Sequence, residues 1–226
     1  MFGRVDKQSA QRGFQVYKEV CSACHGLSRI AFRNLTDIGF SEAEAKALAA
    51  SYQVKDGPND EGEMFERAGK LSDYFPSPYA NEQAARAAQN GAYPPDLSLI
   101  VKARQGGGNY VYSLLTGYEP APADAHMSAG MHYNPYFPGG QIAMPAPLSD
   151  GQISYEDGTQ ASVDQMARDV VNFLQWAAEP EMEARKRMGI KALIFLAVFT
   201  ALKYLAKSNL WRRLHYPSCD KTAPPE

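Results

Sequence analysis

Cys21-Ser22-Ala23-Cys24-His25 places two thiols and an imidazole within a single turn of chain. A covalently attached haem needs that set. The two thiols must reach two vinyl groups to form thioethers, and a ligand must stand beneath the iron, where the histidine after the second cysteine falls. Other uses of paired cysteines fit less well. A structural zinc site wants a second ligand pair, and the chain has no second CxxC. A thioredoxin-like redox pair wants a βαβ setting, and no such pattern surrounds these residues. Cys21, Cys24 and His25 are therefore the first candidate cofactor residues, with His25 as an iron ligand.

The chain has 226 residues, room for one good-sized domain and an appendage. Cysteines number 3, too few for a disulfide framework. Cys219 has no evident partner and is expected to be a free thiol. Residues 1–183 carry 14 Lys+Arg against 23 Asp+Glu, and residues 184–226 carry 9 against 2. The acidic head argues against nucleic-acid binding, which needs basic surface. It suits a basic protein partner approached by electrostatic steering, although acidic surfaces also serve solubility. Met1 to Ala10 lacks an apolar segment. Haem is attached outside the cytoplasm, so a leader is expected to have been removed or to lie upstream.

Helix signals dominate the head. Ser9 to Cys24 reads as an amphipathic helix with Phe14, Val16, Tyr17 and Val20 on one side, delivering the CxxCH run. Ser41 with Glu44 forms a capping box that opens the alanine-rich stretch to Tyr52. Asn81 caps a short helix stopped by Gly91, and Asn109 caps another over Tyr110 to Thr116. Ser162 with Gln165 is a second capping box. Behind it Val163, Met166, Val170, Val171, Leu174 and Ala177 recur at helical spacing, and Pro180 ends the run. No run of alternating strands stands out. Gly and Pro cluster between Pro76 and Gly151, which predicts long loops there.

Met188 to Leu205 is the membrane candidate. Its 18 residues would span ~27 Å as a helix, near the ~30 Å of a bilayer's hydrocarbon core. Lys191 and Lys203 lie near its ends, where long side chains reach the headgroups. Ala192 to Leu202 is apolar all round except Thr200, and Arg185-Lys186-Arg187 and Arg212-Arg213 flank the run. Basic residues at both ends leave the orientation open.

The iron's sixth ligand decides its use. Methionine closes the site for electron transfer, and an open position suits ligand or peroxide chemistry. Candidates are Met127, Met131, Met144, Met166, His126 and His132. Met166 belongs to a core stripe. Met144 stands in the strap Pro138-Gly139-Gly140-Gln141-Ile142-Ala143-Met144-Pro145-Ala146-Pro147, where Pro145 biases it towards extended backbone. That favours Met144 and leaves the others open.

At this point a resemblance enters. Arg12 to His25 (RGFQVYKEVCSACH), Asp56 to Phe65 (DGPNDEGEMF), Gly69 to Tyr74 (GKLSDY), Pro94 to Ser98 (PPDLS), Tyr110 to Tyr118 (YVYSLLTGY), Asn134 to Gly139 (NPYFPG), Trp176 to Pro180 (WAAEP) and Arg185 to Gly189 (RKRMG) run in order along nearly the whole chain. Together they resemble the cytochrome c1 family of the cytochrome bc1 complex (ubiquinol–cytochrome c oxidoreductase). The resemblance implies haem c on Cys21 and Cys24, His25 and Met144 as axial ligands, and Arg104 with Tyr110 near the haem propionates. It implies electrons arriving from a Rieske iron–sulfur protein and leaving to cytochrome c, with cytochrome b and the lipid bilayer as further partners and a dimeric complex. No substrate bond would be made or broken on this chain.

The expected fold is mainly α: a cytochrome c-like haem domain with long loops over 1–183, a transmembrane anchor over 184–206, and a tail over 207–226. The head would face the periplasm or intermembrane space and the tail the cytoplasm or matrix. A membrane-anchored c-type cytochrome serving another oxidoreductase is the alternative. Two departures stand out. The chain is compact where many bacterial members carry insertions, and its cysteine count excludes the head disulfide of some members. Asp56, Asp60, Glu61, Glu63 and Glu66 are the candidate stretch for steering a basic cytochrome c.

Overall fold

The computed structural model describes residues 4–123 and 125–215. Contacts divide the chain at Pro180 into one compact unit before it and another after it. Among the described residues the first unit is mainly α with two small hairpins. Its elements are α1 (Lys7–Glu19), 3-10 turns over Cys21–Ala23 and Phe32–Ile38, α2 (Glu42–Ala50), the strands β1 (Gln53–Asp56) and β2 (Phe65–Ala68), α3 (Glu82–Ala88), α4 (Ile100–Ala103), α5 (Gly107–Thr116), β3 (His132–Tyr133), β4 (Gln141–Ile142) and α6 (Val163–Ala178). The second is α7 (Met182–His215).

Local chemistry sets most helix ends. Asp6 caps α1 by accepting from the backbone N–H groups of Gln8 and Ser9. Ser41 and Glu44 form the reciprocal capping box expected of α2. Asn81 accepts from Ala84 N–H at 2.8 Å to open α3. Three expectations need correction. The helix read over Ser9 to Cys24 stops at Glu19, and the cysteine run lies in a separate 3-10 turn. Asn109 is not a cap: α5 starts earlier, at Gly107, because Gly106 and Gly107 adopt φ of +87° and +58°, which glycine tolerates without a Cβ penalty. The box at α6 is half made. Ser162 Oγ accepts from Gln165 N–H, but the Gln165 side chain donates to Asp169 at 3.0 Å instead of turning back.

The core is where α1 packs across α6. A Cβ on Gly13 would collide with the Asp169 carbonyl and come within 2.8 Å of Phe173 Cβ, so only glycine allows so close a crossing. Phe14 meets Phe173 edge-on at 5.6 Å and Phe40 at 5.4 Å, and Phe32 lies 4.3 Å from Phe75. Aromatic pairs of this kind add about 0.5–1.5 kcal/mol each beyond their burial. Phe173 is fully buried and packs on Phe14, Tyr17 and Trp176, and the apolar stripe read from spacing omitted it. The β1–β2 hairpin was also unforeseen. It pairs Gln53 with Ala68 and Asp56 with Phe65, and neither strand carries a buried face.

Described by itself, α7 runs 34 residues, longer at both ends than the stretch Met188 to Leu205. Its segment Met182–Arg212 is long and apolar enough to cross a membrane. Leu193, Phe195, Leu196, Val198 and Leu202 stay exposed around it, as a helix does when lipid is its solvent. The expected tail from 207 is helical through His215. Cys219 lies outside the described residues.

Candidate haem site

α1 ends at Glu19 and hands the chain to the 3-10 turn Cys21–Ala23. The Cys21 carbonyl accepts from Cys24 N–H at 3.1 Å and from His25 N–H at 2.9 Å, folding both cysteines and the histidine into one tight unit. Cys21 and Cys24 are free thiols and half-buried. Burial, with a smaller contribution from Cys24, pushes the Cys21 thiol up to about 12, so it stays protonated.

His25 Nδ1 lies 2.8 Å from the Pro95 carbonyl. A carbonyl only accepts, so Nδ1 carries the proton and Nε2 keeps its lone pair. Burial holds the imidazole pKa below its ordinary value, against the opposing pull of the Pro95 carbonyl and Asp96. A neutral imidazole with an oriented ring is what iron ligation asks for, and a carbonyl on the far nitrogen is the usual way to fix the tautomer. Two adjacent thiols and such an imidazole fit a covalently attached haem.

The loop that supplies Pro95 is itself tied down. Leu97 N–H donates to the Gly26 carbonyl at 2.9 Å. The Asp96 carboxylate accepts from Ser28 and Ser98 N–H groups, each at 2.8 Å. Burial raises the Asp96 pKa, but the Ser98 and Ser28 hydrogen bonds outweigh it and hold the carboxyl below its usual range. Tyr17 on α1 donates to the His25 carbonyl at 3.2 Å. Pro95 and Asp96 were missed as site residues. The stretch PPDLS marks them in the sequence, but nothing in it says which carbonyl faces His25.

Met144 is half-buried in its proline-rich strap, and its carbonyl accepts from Tyr118 Oη at 3.0 Å. Tyr118 follows the end of α5. Burial first and Tyr110 second push its phenol up to about 12. Tyr110 is half-buried on α5 and packs against the core. The structure thus links Met144 to α5 through Tyr118, which had not been singled out. Arg104 is exposed, and Nη1 donates at 3.1 Å to the neighbouring Ala103 carbonyl. Among the described residues no carboxylate pairs with it. Of the other sixth-ligand candidates, Met166 is fully buried in the core, whereas His126 and His132 are exposed.

In the acidic stretch, Asp60, Glu61, Glu63 and Glu66 are exposed on the hairpin. Asp56 differs: it is bound to Arg67, which also holds Asp73 through Nη1 at 2.6 Å. Arg67 offsets only part of the charge of this pair of carboxylates, so Asp56 adds less to a long-range field than the exposed acids but does not vanish from it.

Fold and site together define a class: a cytochrome, with a mainly α haem-binding head and, among the described residues, one helix suited to crossing a membrane. The Cytochrome C1 family profile matches residues 1–214. The chain is 56% identical over 211 residues to "Cytochrome c1 1, heme protein, mitochondrial" of Arabidopsis thaliana, covering 93% of this chain and 67% of that protein. It is 52% identical over 228 residues to cytochrome c1 of Rhodospirillum rubrum, covering 94% and 84%. It is 55% identical over 212 residues to "Cytochrome b-c1 complex catalytic subunit, mitochondrial" of Candida albicans, covering 93% and 74%. The chain belongs to the cytochrome c1 family.

Proposed function

We propose that this chain is the haem-bearing electron-transfer subunit of a cytochrome bc1 complex, taking single electrons from a Rieske iron–sulfur protein and passing them to cytochrome c. The observation that carries the reading is the attachment turn: two thiols and an imidazole with Nε2 free, in a chain of this family. The name of the Candida albicans relative supports the complex as the setting. Oxidoreductase activity then belongs to the assembly, with cytochrome b beside this subunit in a dimeric complex.

In this reading Cys21 and Cys24 would carry haem c through thioethers, and His25 and Met144 would ligate its iron. Bound there, the haem supplies a one-electron couple with no bond made or broken to substrate. The protein positions and insulates that couple. Pro95 fixes the His25 ring, and Tyr118 steadies the Met144 strap. Arg104 and Tyr110 would hold the propionates. The guanidinium of Arg104 is exposed and pairs with no carboxylate among the described residues, which suits it to donate to one at little desolvation cost. The exposed acids Asp60, Glu61, Glu63 and Glu66 raise the local concentration of a basic cytochrome c.

The layout we infer is a haem domain over 1–183, an anchor over 184–206 and a tail over 207–226, in a bacterial plasma membrane or mitochondrial inner membrane. The head lies on the periplasmic or intermembrane-space side. Purification from membranes tests the reading. The chain should come out with a cytochrome b and a Rieske protein, and quinol should reduce its haem before cytochrome c is reduced. A haem that quinol leaves oxidised while cytochrome c turns over would overturn it.

A further inference from the structure

Gln89 closes α3, and its half-buried side chain reaches the attachment turn across 65 residues of sequence. Its Nε2 donates to the Tyr79 hydroxyl at 2.7 Å and lies 3.6 Å from Cys24 Sγ, within the longer reach of a hydrogen bond to sulfur. An amide nitrogen carries two N–H groups, and these two contacts occupy both. The backbone that presents the amide is fixed as well. Gln89 N–H donates to the Ala85 carbonyl at 3.0 Å, and the Gln89 carbonyl accepts from Ala92 N–H at 2.9 Å. Just beyond, Gly91 has φ of +88°, and its carbonyl accepts from Arg86 Nη1 at 2.8 Å. The half-buried amide is thus anchored by Tyr79 and aimed at the cysteine sulfur.

We propose that Gln89 is a positioning residue for the haem: its amide donates to the Cys24 sulfur, sets that sulfur's place in the attachment turn, and raises the reduction potential. The inference rests on the attachment of haem at Cys24 read above. In that attachment the Cys24 S–H adds across a vinyl C=C. The S–C bond forms at the inner vinyl carbon and the thiol hydrogen ends on the outer one, with no external oxidant or reductant consumed. The sulfur keeps its lone pairs as a thioether and remains a weak acceptor. A donor on it withdraws electron density from the haem periphery, which favours the reduced iron. Hydrogen bonding one shell out is a recognised lever on potential. Tyr79 is the anchor that keeps the amide from swinging to water.

The test compares native holoprotein with Gln89→Met and Gln89→Glu, two side chains of nearly the same shape that cannot offer the N–H. Intact mass reads covalent haem, and a spectroelectrochemical titration reads the potential. Both variants should keep the haem mass. In Gln89→Met the equilibrium should move about threefold towards the oxidised form, ~28 mV lower at ~59 mV per tenfold for one electron. Gln89→Glu should move further the same way, because it adds negative charge. A potential equal to native in Gln89→Met overturns the role of Gln89 while leaving the attachment reading intact. A native chain without covalent haem overturns the attachment reading itself. If Gln89→Met does not fold, the equally neutral Gln89→Leu carries the comparison under the same criterion.

Discussion

Arg12 on α1 and Asp169 on α6, 157 residues apart in sequence, meet fork to carboxylate at 2.9 Å and 3.1 Å. Asp169 is fully buried and also accepts from Gln165 at 3.0 Å, while Arg12 reaches on to Asp157 at 2.9 Å. The pair sits one helical step from the Gly13 crossing, on the helix that ends in the attachment turn. It fixes the register of α1 on α6, and so where Cys21 to His25 emerge. Asp169→Leu leaves a mostly buried guanidinium short of its main partner, and breaking a buried pair costs about 3–5 kcal/mol. Arg12 keeps Asp157, so the low end, ~3 kcal/mol, is expected. Denaturant unfolding measures it, and a loss below ~1 kcal/mol would contradict the account.

Gly13→Ala probes the same crossing without touching charge. The added Cβ meets the Asp169 backbone, which cannot swing aside as a side chain can. The helices must separate, and overpacking of this kind costs about 1–3 kcal/mol. Thermal unfolding should show a lower midpoint. An unchanged midpoint would mean that α1 and α6 can slide apart freely.

Acid should weaken the clamp at the base of the β1–β2 hairpin. Arg67 is the main cause that holds the Asp73 carboxyl down at about 2, helped by Lys70 N–H. A depressed carboxylate contributes stability above its unfolded pKa of about 3.9, and that contribution is lost as pH falls from there through about 2. The fall in unfolding midpoint between pH 5 and pH 2 should be shallower in Asp73→Asn than in the native protein. Parallel curves would remove Asp73 from the explanation of acid sensitivity.

Tyr118→Phe removes the donor to the Met144 carbonyl. A hydrogen bond of this type contributes about 1 kcal/mol, or roughly fivefold in an equilibrium. If Met144 is the distal ligand, exogenous imidazole should displace it about fivefold more readily in the variant, as read from the haem spectrum. Equal displacement would show that the prolines alone hold the strap.

What the sequence disclosed was local. Ser41 with Glu44, and Asn81, announce helix starts because a cap acts within three residues of itself. The CxxCH run is legible for the same reason. Asn109 misled because the glycines at 106 and 107 can begin a helix from left-handed backbone, and a pattern of caps ignores that option. The β1–β2 hairpin escaped because its half-buried face is made of Val54, Asp56 and Arg67, so no alternation of apolar residues marks it. Pairings across the fold left no trace: nothing near Arg12 names Asp169, and nothing near Met144 names Tyr118. The family resemblance, by contrast, drew on the whole length at once and identified the family that the profile match later established.

The account turns most directly on whether haem is bonded to this chain through Cys21 and Cys24. The chain should be separated from its membrane complex under denaturing conditions, extracted with acidified acetone, and its pyridine haemochrome spectrum recorded. We predict that one haem per chain resists extraction and gives the spectrum of a haem with both vinyl groups saturated. Haem that passes wholly into the acetone, leaving a colourless chain, would contradict the account.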